Sequence, residues 1–204
     1  MKALILKETY RGLQPVEIPD VMFSRRILFF TSEVSAKTAE LLICQLLWLD
    51  SADPGKPIKL CINSPGGDVY SGLAIVDTIR NLRSPVDVYC QGICASMGAI
   101  IFLQGRERYI DPHSRLMIHD PSFGGGSIAG VKPLSLQDDV EKLMNMRKEL
   151  AEIIAERTGQ ALDDVLEKTK TDYTMNAQEA LEGGFATKIG SLSFIEDKEK
   201  NDNE

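Results

Sequence analysis

The chain has 204 residues, 43% of them hydrophobic and 26% charged, enough to bury one sizeable core and too few to require two, so a single domain is expected. Its formal net charge of -7, with no basic cluster, gives no electrostatic footprint for a phosphate backbone and argues against nucleic acid as a partner. The opening apolar run, Ala3 to Leu6, is shorter than a secretory core, and no later run reaches membrane-spanning length; a soluble, cytoplasmic protein with no membrane partner is expected.

In chain order, residues 1–20 mix Gly12, Pro15 and Pro19 with scattered apolar side chains and suit an irregular arm better than a helix or strand. Arg26 to Phe30 reads as a strand. Ser35 to Leu49 reads as a helix capped by Ser35, with Ala39, Leu42, Ile43, Leu46 and Leu47 at helical spacing. Ile58 to Ile62 is a strand, Asn63 to Gly67 a turn and Tyr70 to Leu82 a helix; Val86 to Cys90 is a second strand, and a helix opens near Ser96. Twice, a strand runs through glycine into a helix.

Arg108 to Ile110 and Arg115 to His119 are strand candidates, and Phe123 to Gly130 is glycine-rich. Residues 136–157 form the longest predicted helix, with Val140, Leu143, Met144, Leu150, Ile153 and Ile154 on a broad apolar face. Ala161 to Lys168 and Ala177 to Glu182 are further helices, the latter ended by Gly183 and Gly184. Residues 196–204 are almost wholly polar and read as a disordered tail after a domain spanning 21–195. Alternating strands and helices predict an α/β fold with mostly parallel pairing.

Cys44, Cys61, Cys90 and Cys94 lie in apolar surroundings with no CxxC pair, which favours reduced, buried thiols over a metal site or a disulfide framework. With only two histidines, an imidazole base must be His113 or His119. His113 sits in a turn after Asp111 and Pro112. His119 closes a strand, where side chains commonly project into a site. Taken alone, each is as readily structural as functional.

A serine hydroxyl needs a base to take its proton and gains from nearby free N–H groups that stabilise negative charge. Ser96, in Gly-Ile-Cys-Ala-Ser-Met-Gly-Ala (92–99), sits where strand gives way to helix, so the Met97 N–H could face an oxyanion. An ordinary N-cap serine is the plainer reading of the local sequence. Asn63 to Gly67 is a second glycine turn, able to supply another oxyanion donor or simply to reverse the chain. The acid that orients the base cannot be chosen by pattern among thirty Asp and Glu residues.

Together, the segments INSPGG (62–67), GICASMGA (92–99) and MIHDP (117–121), in that order and spacing, resemble the signature segments of the proteolytic subunit of the Clp protease, ClpP, over residues 9–190. The resemblance implies a ClpP/crotonase-like spiral of ββα units. Seven such subunits form a ring, and two rings stack into a tetradecamer around a chamber. Residues 1–20 would be the N-terminal arm of the axial loop region and 136–157 the handle helix that joins the rings. It further implies a serine endopeptidase with Ser96 as nucleophile, His119 as base, Asp172 as the orienting acid and the Gly67 and Met97 N–H groups as oxyanion hole.

Substrate would lie as an added strand against Gly66, Gly67, Asp68 and Val69 on one side and Phe123, Gly124 and Gly125 on the other. No cofactor is implied for this chain, ATP being used by the partner. The partners implied are further copies of itself, unfolded protein substrates and an AAA+ unfoldase such as ClpX, ClpA or ClpC. The resemblance also aligns the N-terminus with the processed family start, implying little or no propeptide.

The sequence departs from the family pattern at several places. Thr171 replaces the arginine that usually precedes the triad aspartate, and residues 126–135 lack the usual start of the handle, so ring pairing is less firmly implied than the triad. Lys59, Cys61 and Asn81 stand where aromatic residues commonly line the ATPase docking cleft. Asp120 replaces the common glutamine after the base and, if its carboxylate faced the ring, would favour the protonated imidazole. Two competing readings are a catalytically weak structural subunit of a mixed ring and an acyl-CoA-handling enzyme of the crotonase type. The presence of Ser96, His119 and Asp172 argues against both.

Overall fold

The computed structural model describes residues 4–9, 12–122 and 133–192. The predicted irregular arm is instead a hairpin. β1 (Leu4–Thr9) and β2 (Gly12–Glu17) pair antiparallel, Leu4 opposite Glu17 and Thr9 opposite Gly12. Pro15 is tolerated because β2 has a single strand neighbour, so its missing N–H leaves no gap in an interior ladder. Leu4, Leu6 and Leu13 are more than half exposed, so the hairpin stands apart from the core. A short helix not anticipated from sequence, α1 (Ile18–Ser24), follows, with Pro19 in the first turn where its lost N–H costs nothing.

The main sheet is built from alternating crossovers. β3 (Ile27–Phe30), α2 (Ala36–Ala52), β4 (Ile58–Ser64), α3 (Val69–Asn81), β5 (Val86–Ala95) and α4 (Met97–Phe102) come first. β6 (Arg108–Ile110), β7 (Arg115–Ile118), α5 (Pro133–Thr158), α6 (Leu162–Lys168), β8 (Tyr173–Met175), α7 (Ala177–Glu182) and β9 (Lys188–Ile189) complete the described chain. The strand order is β3-β4-β5-β6-β9, all parallel, with β7 parallel to β5 and antiparallel to β8. The expected α/β class with mostly parallel pairing is thus present, and α7 and β6 have the predicted bounds. The predicted Ser35 cap also holds: its hydroxyl accepts from the Thr38 N–H at 3.3 Å, closing a capping box.

β5 runs five residues beyond its predicted end at Cys90 because it changes partner midway. Val88 to Cys90 pair with β6, while Ile93 to Ala95 pair with β7. Gly92 is the pivot. Its φ of +96° suits glycine, and a Cβ there would lie 2.9 Å from Asn63 Oδ1, the atom that accepts the Ile93 N–H at 3.2 Å. The ladder to β4 slips at the same place, so that Ile62 faces Cys90 but Ser64 faces Cys94. The bend carries the end of β5, and with it Ser96, away from β6 and toward β7 and His119.

The core is sealed by β4, β5 and α4, with Leu60, Ile62, Val88, Ile101 and Phe102 fully buried. Not every predicted apolar face is covered. On α2, Leu42 and Leu46 are buried, but Leu41, Leu47 and Trp48 are more than half exposed. On α5, Leu150, Ala151 and Ile154 pack inward, whereas Met144 is 54% exposed, so the continuous apolar face read from sequence meets this core only along its C-terminal half. Three of the four thiols are buried as expected; Cys44, on the exposed side of α2, is not. Burial pushes the Cys61 thiol up to about 12. Among the described residues no helix is long and apolar enough to cross a membrane.

Candidate active site

Ser96 occupies the single-residue joint between β5 and α4. Its backbone, φ +52° and ψ -124°, is in a region that a non-glycine residue enters only when its surroundings hold it there, at a cost of about 1–3 kcal/mol. The restraints are visible. The Ser96 N–H donates to Met117 O at 2.8 Å, and its carbonyl accepts from the Ala99 N–H at 2.9 Å. The hydroxyl makes no capping bond to α4, which sets aside the plain N-cap reading. It bonds to His119 instead.

His119 follows the last residue of β7, and its Nε2 lies 3.0 Å from Ser96 Oγ. Its Nδ1 lies 3.0 Å from Asp172 Oδ1. That second contact follows from strand pairing. β8 runs antiparallel to β7 with Ile118 opposite Tyr173, so the next rung sets His119 opposite Asp172. Among the described residues Asp172 is the acid that hydrogen-bonds this imidazole. The histidine side chain is 31% exposed and that of Asp172 74%, so the chain of bonds runs from a half-buried hydroxyl outward to solvent. His113 is exposed and away from this group.

The glycine turn after β4 closes the other side. A Cβ on Gly66 would stand 2.6 Å from Ser96 Cβ and 3.0 Å from the Met97 nitrogen, so the absence of a side chain lets the two turns touch. Gly67 bridges to Val34 in parallel fashion: the Val34 N–H donates to Gly66 O at 2.7 Å and the Asp68 N–H to Val34 O at 2.8 Å. Those two groups are occupied, and backbone alternation turns the N–H and C=O of Gly67 the other way. Met97 is the first residue of α4, so its N–H has no partner within the helix. The Met97 N–H therefore lies beside the Ser96 turn without an intrahelical partner.

Of the predicted substrate-binding residues, Gly66 and Gly67 take positive φ values of +94° and +141°, Gly67 forms the isolated bridge to Val34, and Asp68 is extended. Val69 opens α3 and contributes its side chain to the cleft rather than a strand edge. Phe123, Gly124 and Gly125 lie outside the described residues. Ser96 and His119 open on a small cleft lined by Val69, Met97, Ile100, Leu150 and Ile154 together with Asp120 and Arg147.

The Asp120 carboxylate accepts from Arg147 Nε at 2.5 Å. No sequence signal singled out Arg147, since an arginine on a charged helix is ordinarily solvated.

Gly67 offers a direct test of the groove. A Cβ there would lie 2.3 Å from Val34 O at a φ of +141°, a clash with backbone that no rotamer relieves. Gly67→Ala is expected to cost about 1–3 kcal/mol, lowering Tm by roughly 2–10 °C, which calorimetry checks.

The family model described as Clp protease matches residues 11–192 of this chain. The chain is 41% identical over 199 residues to the ATP-dependent Clp protease proteolytic subunit 2 of Chlamydia muridarum, covering 97% of this chain and 96% of that protein. It is 40% identical over 189 residues to the ATP-dependent Clp protease proteolytic subunit 1 of Chlamydia felis, covering 92% and 91%.

Proposed function

The chain belongs to the Clp protease family, and from its site we propose that it is a serine endopeptidase that cuts unfolded polypeptide. The observation that carries this reading is the chain of contacts Ser96 Oγ to His119 Nε2 to Asp172 Oδ1, 3.0 Å at each step. His119 takes the hydroxyl proton as Ser96 Oγ attacks the peptide carbonyl, and Asp172 holds the ring with Nδ1–H toward itself and offsets the imidazolium charge. The carbonyl oxygen becomes an oxyanion received by the Gly67 and Met97 N–H groups. His119 then protonates the leaving amine, and water enters by the same route in reverse to release the acyl group from Ser96. These steps need no metal or organic cofactor.

Substrate pairs as a strand with the outward edge of Gly67, a recognition mode that tolerates many sequences. The exposed apolar halves of α2 and α5 support assembly into rings and a double ring, since surfaces of that kind mark contacts between chains. An AAA+ unfoldase would feed the chamber. The family's docking position is altered here: Cys61 is buried with Ile27 and Tyr89, Lys59 is half-buried and Asn81 exposed.

The test is a fluorophosphonate probe with peptide mapping, alongside cleavage of a fluorogenic peptide. A phosphonyl adduct confined to the peptide bearing Ser96, with loss of cleavage in step with labelling, is the expected result. A fully folded protein that neither labels nor cleaves would overturn the proposal.

A further inference from the structure

Arg147 lies on the inward side of α5 and uses two prongs of its guanidinium on two different segments. Nε donates to Asp120 Oδ2 at 2.5 Å, and Nη2 donates to Leu166 O at 2.5 Å. Asp120 is the residue after His119, and its N–H donates to Thr169 O at 2.7 Å. Leu166 belongs to α6 and Thr169 is its C-cap, three residues before Asp172. One side chain of α5 therefore clasps the segment that carries the base to the segment that carries its acid.

The pair is shielded rather than solvated, with the Arg147 side chain 18% and the Asp120 side chain 28% exposed, and both residues line the cleft that holds Ser96 and His119. Asp120 Oδ1 is buried without a hydrogen-bond partner, so this carboxylate depends on Arg147. A planar fork suits such a double contact; a lysine ammonium can satisfy one acceptor well but not both in the same geometry.

We propose that Arg147 is a positioning residue for catalysis: through Asp120 and the Leu166 carbonyl it sets the spacing of His119 and Asp172 and makes that spacing depend on the seat of α5. The proposal rests on the serine-peptidase reading. It differs from a purely structural ion pair in what it predicts, because a displacement of about 1 Å in a catalytic group can cost on the order of 10²-fold in rate without weakening substrate binding.

The experiment uses the full chain in its assembled state and compares wild type with Arg147→Met, Arg147→Lys, Asp120→Asn and the Asp120→Asn/Arg147→Met double variant. For a short fluorogenic peptide, Arg147→Met should lower kcat by roughly 10- to 10²-fold with KM within about twofold. Arg147→Lys should fall between Arg147→Met and wild type. Asp120→Asn, whose amide oxygen can still accept from Nε, should lose least.

The double variant separates positioning from stability. Arg147→Met strands a shielded carboxylate and lowers Tm; removing the charge with Asp120→Asn should restore Tm while kcat stays low, because the clasp is still missing. If kcat recovers together with Tm, or if Arg147→Met leaves kcat within twofold of wild type, the proposal is overturned. A further readout needs no turnover. The low-field proton resonance of His119 Nδ1–H, expected in wild type, should be lost or shifted in Arg147→Met. Its persistence unchanged would overturn the positioning role, whereas an inert wild type that shows the resonance would count against the peptidase reading alone.

Discussion

Ser96→Ala abolishes peptide hydrolysis while leaving the fold intact: kcat is expected to fall by at least about 10⁴-fold, with Tm unchanged or slightly raised. Among the described residues the hydroxyl makes one hydrogen bond, to His119, and no cap to α4, so its removal deletes the attacking atom and little else there. Alanine does not relieve the positive φ at this position, so the turn keeps its strain and its neighbours keep their places. Substrate should still bind between the glycine turn and the cleft, leaving a variant suited to trapping uncleaved peptide. Active-site titration and steady-state kinetics decide the matter. Residual turnover above about a hundredth of wild type, in protein free of wild-type contamination, would mean that another nucleophile operates.

Asp172→Asn is expected to lower kcat by about 10²- to 10³-fold with little change in KM. A buried aspartate in this role is worth on the order of 10⁴-fold, because the wrong tautomer and an unbalanced imidazolium both follow from its loss. Here the side chain is 74% exposed, so solvent and salt screen its charge and the smaller figure applies. The same screening predicts that the gap between wild type and variant narrows as ionic strength rises. Kinetics across a salt series at fixed pH check both statements. A loss below about fivefold would mean that the β7–β8 ladder alone holds the ring in place.

Much of this protein was legible as sequence because the signals were local. The helix over α2 announced itself through Ser35 and the apolar spacing that follows; α7 did so through its glycine stop, and β6 through a short apolar run before a turn. Two of the three signature segments, INSPGG and GICASMGA, put glycine and small residues where backbones must approach closely, as Gly66 does against Ser96. The hairpin of β1 and β2 was missed because Pro15 argues against a strand unless that strand has only one neighbour, which residue order does not show.

The acid could not be read from the residues by themselves, and only the family resemblance pointed to Asp172. Thirty carboxylates were equivalent by pattern, and β8, only three residues long, falls below what periodicity can detect. Once β8 pairs with β7, the ladder leaves one acid opposite His119. The partner of Asp120 was hidden for a related reason: its carboxylate meets Arg147, 27 residues away along the chain.

Local sequence was therefore sufficient for the fold class and the glycine turns, because turns, caps and apolar spacing depend on neighbours within a few residues, while Ser96 and His119 were singled out by the family resemblance of their segments. The pivot at Gly92, the contact between Asp172 and His119 and the clasp of Arg147 were decided only by tertiary structure. Each depends on strand register or on a contact between distant segments, and such contacts form only when the whole core has closed around them.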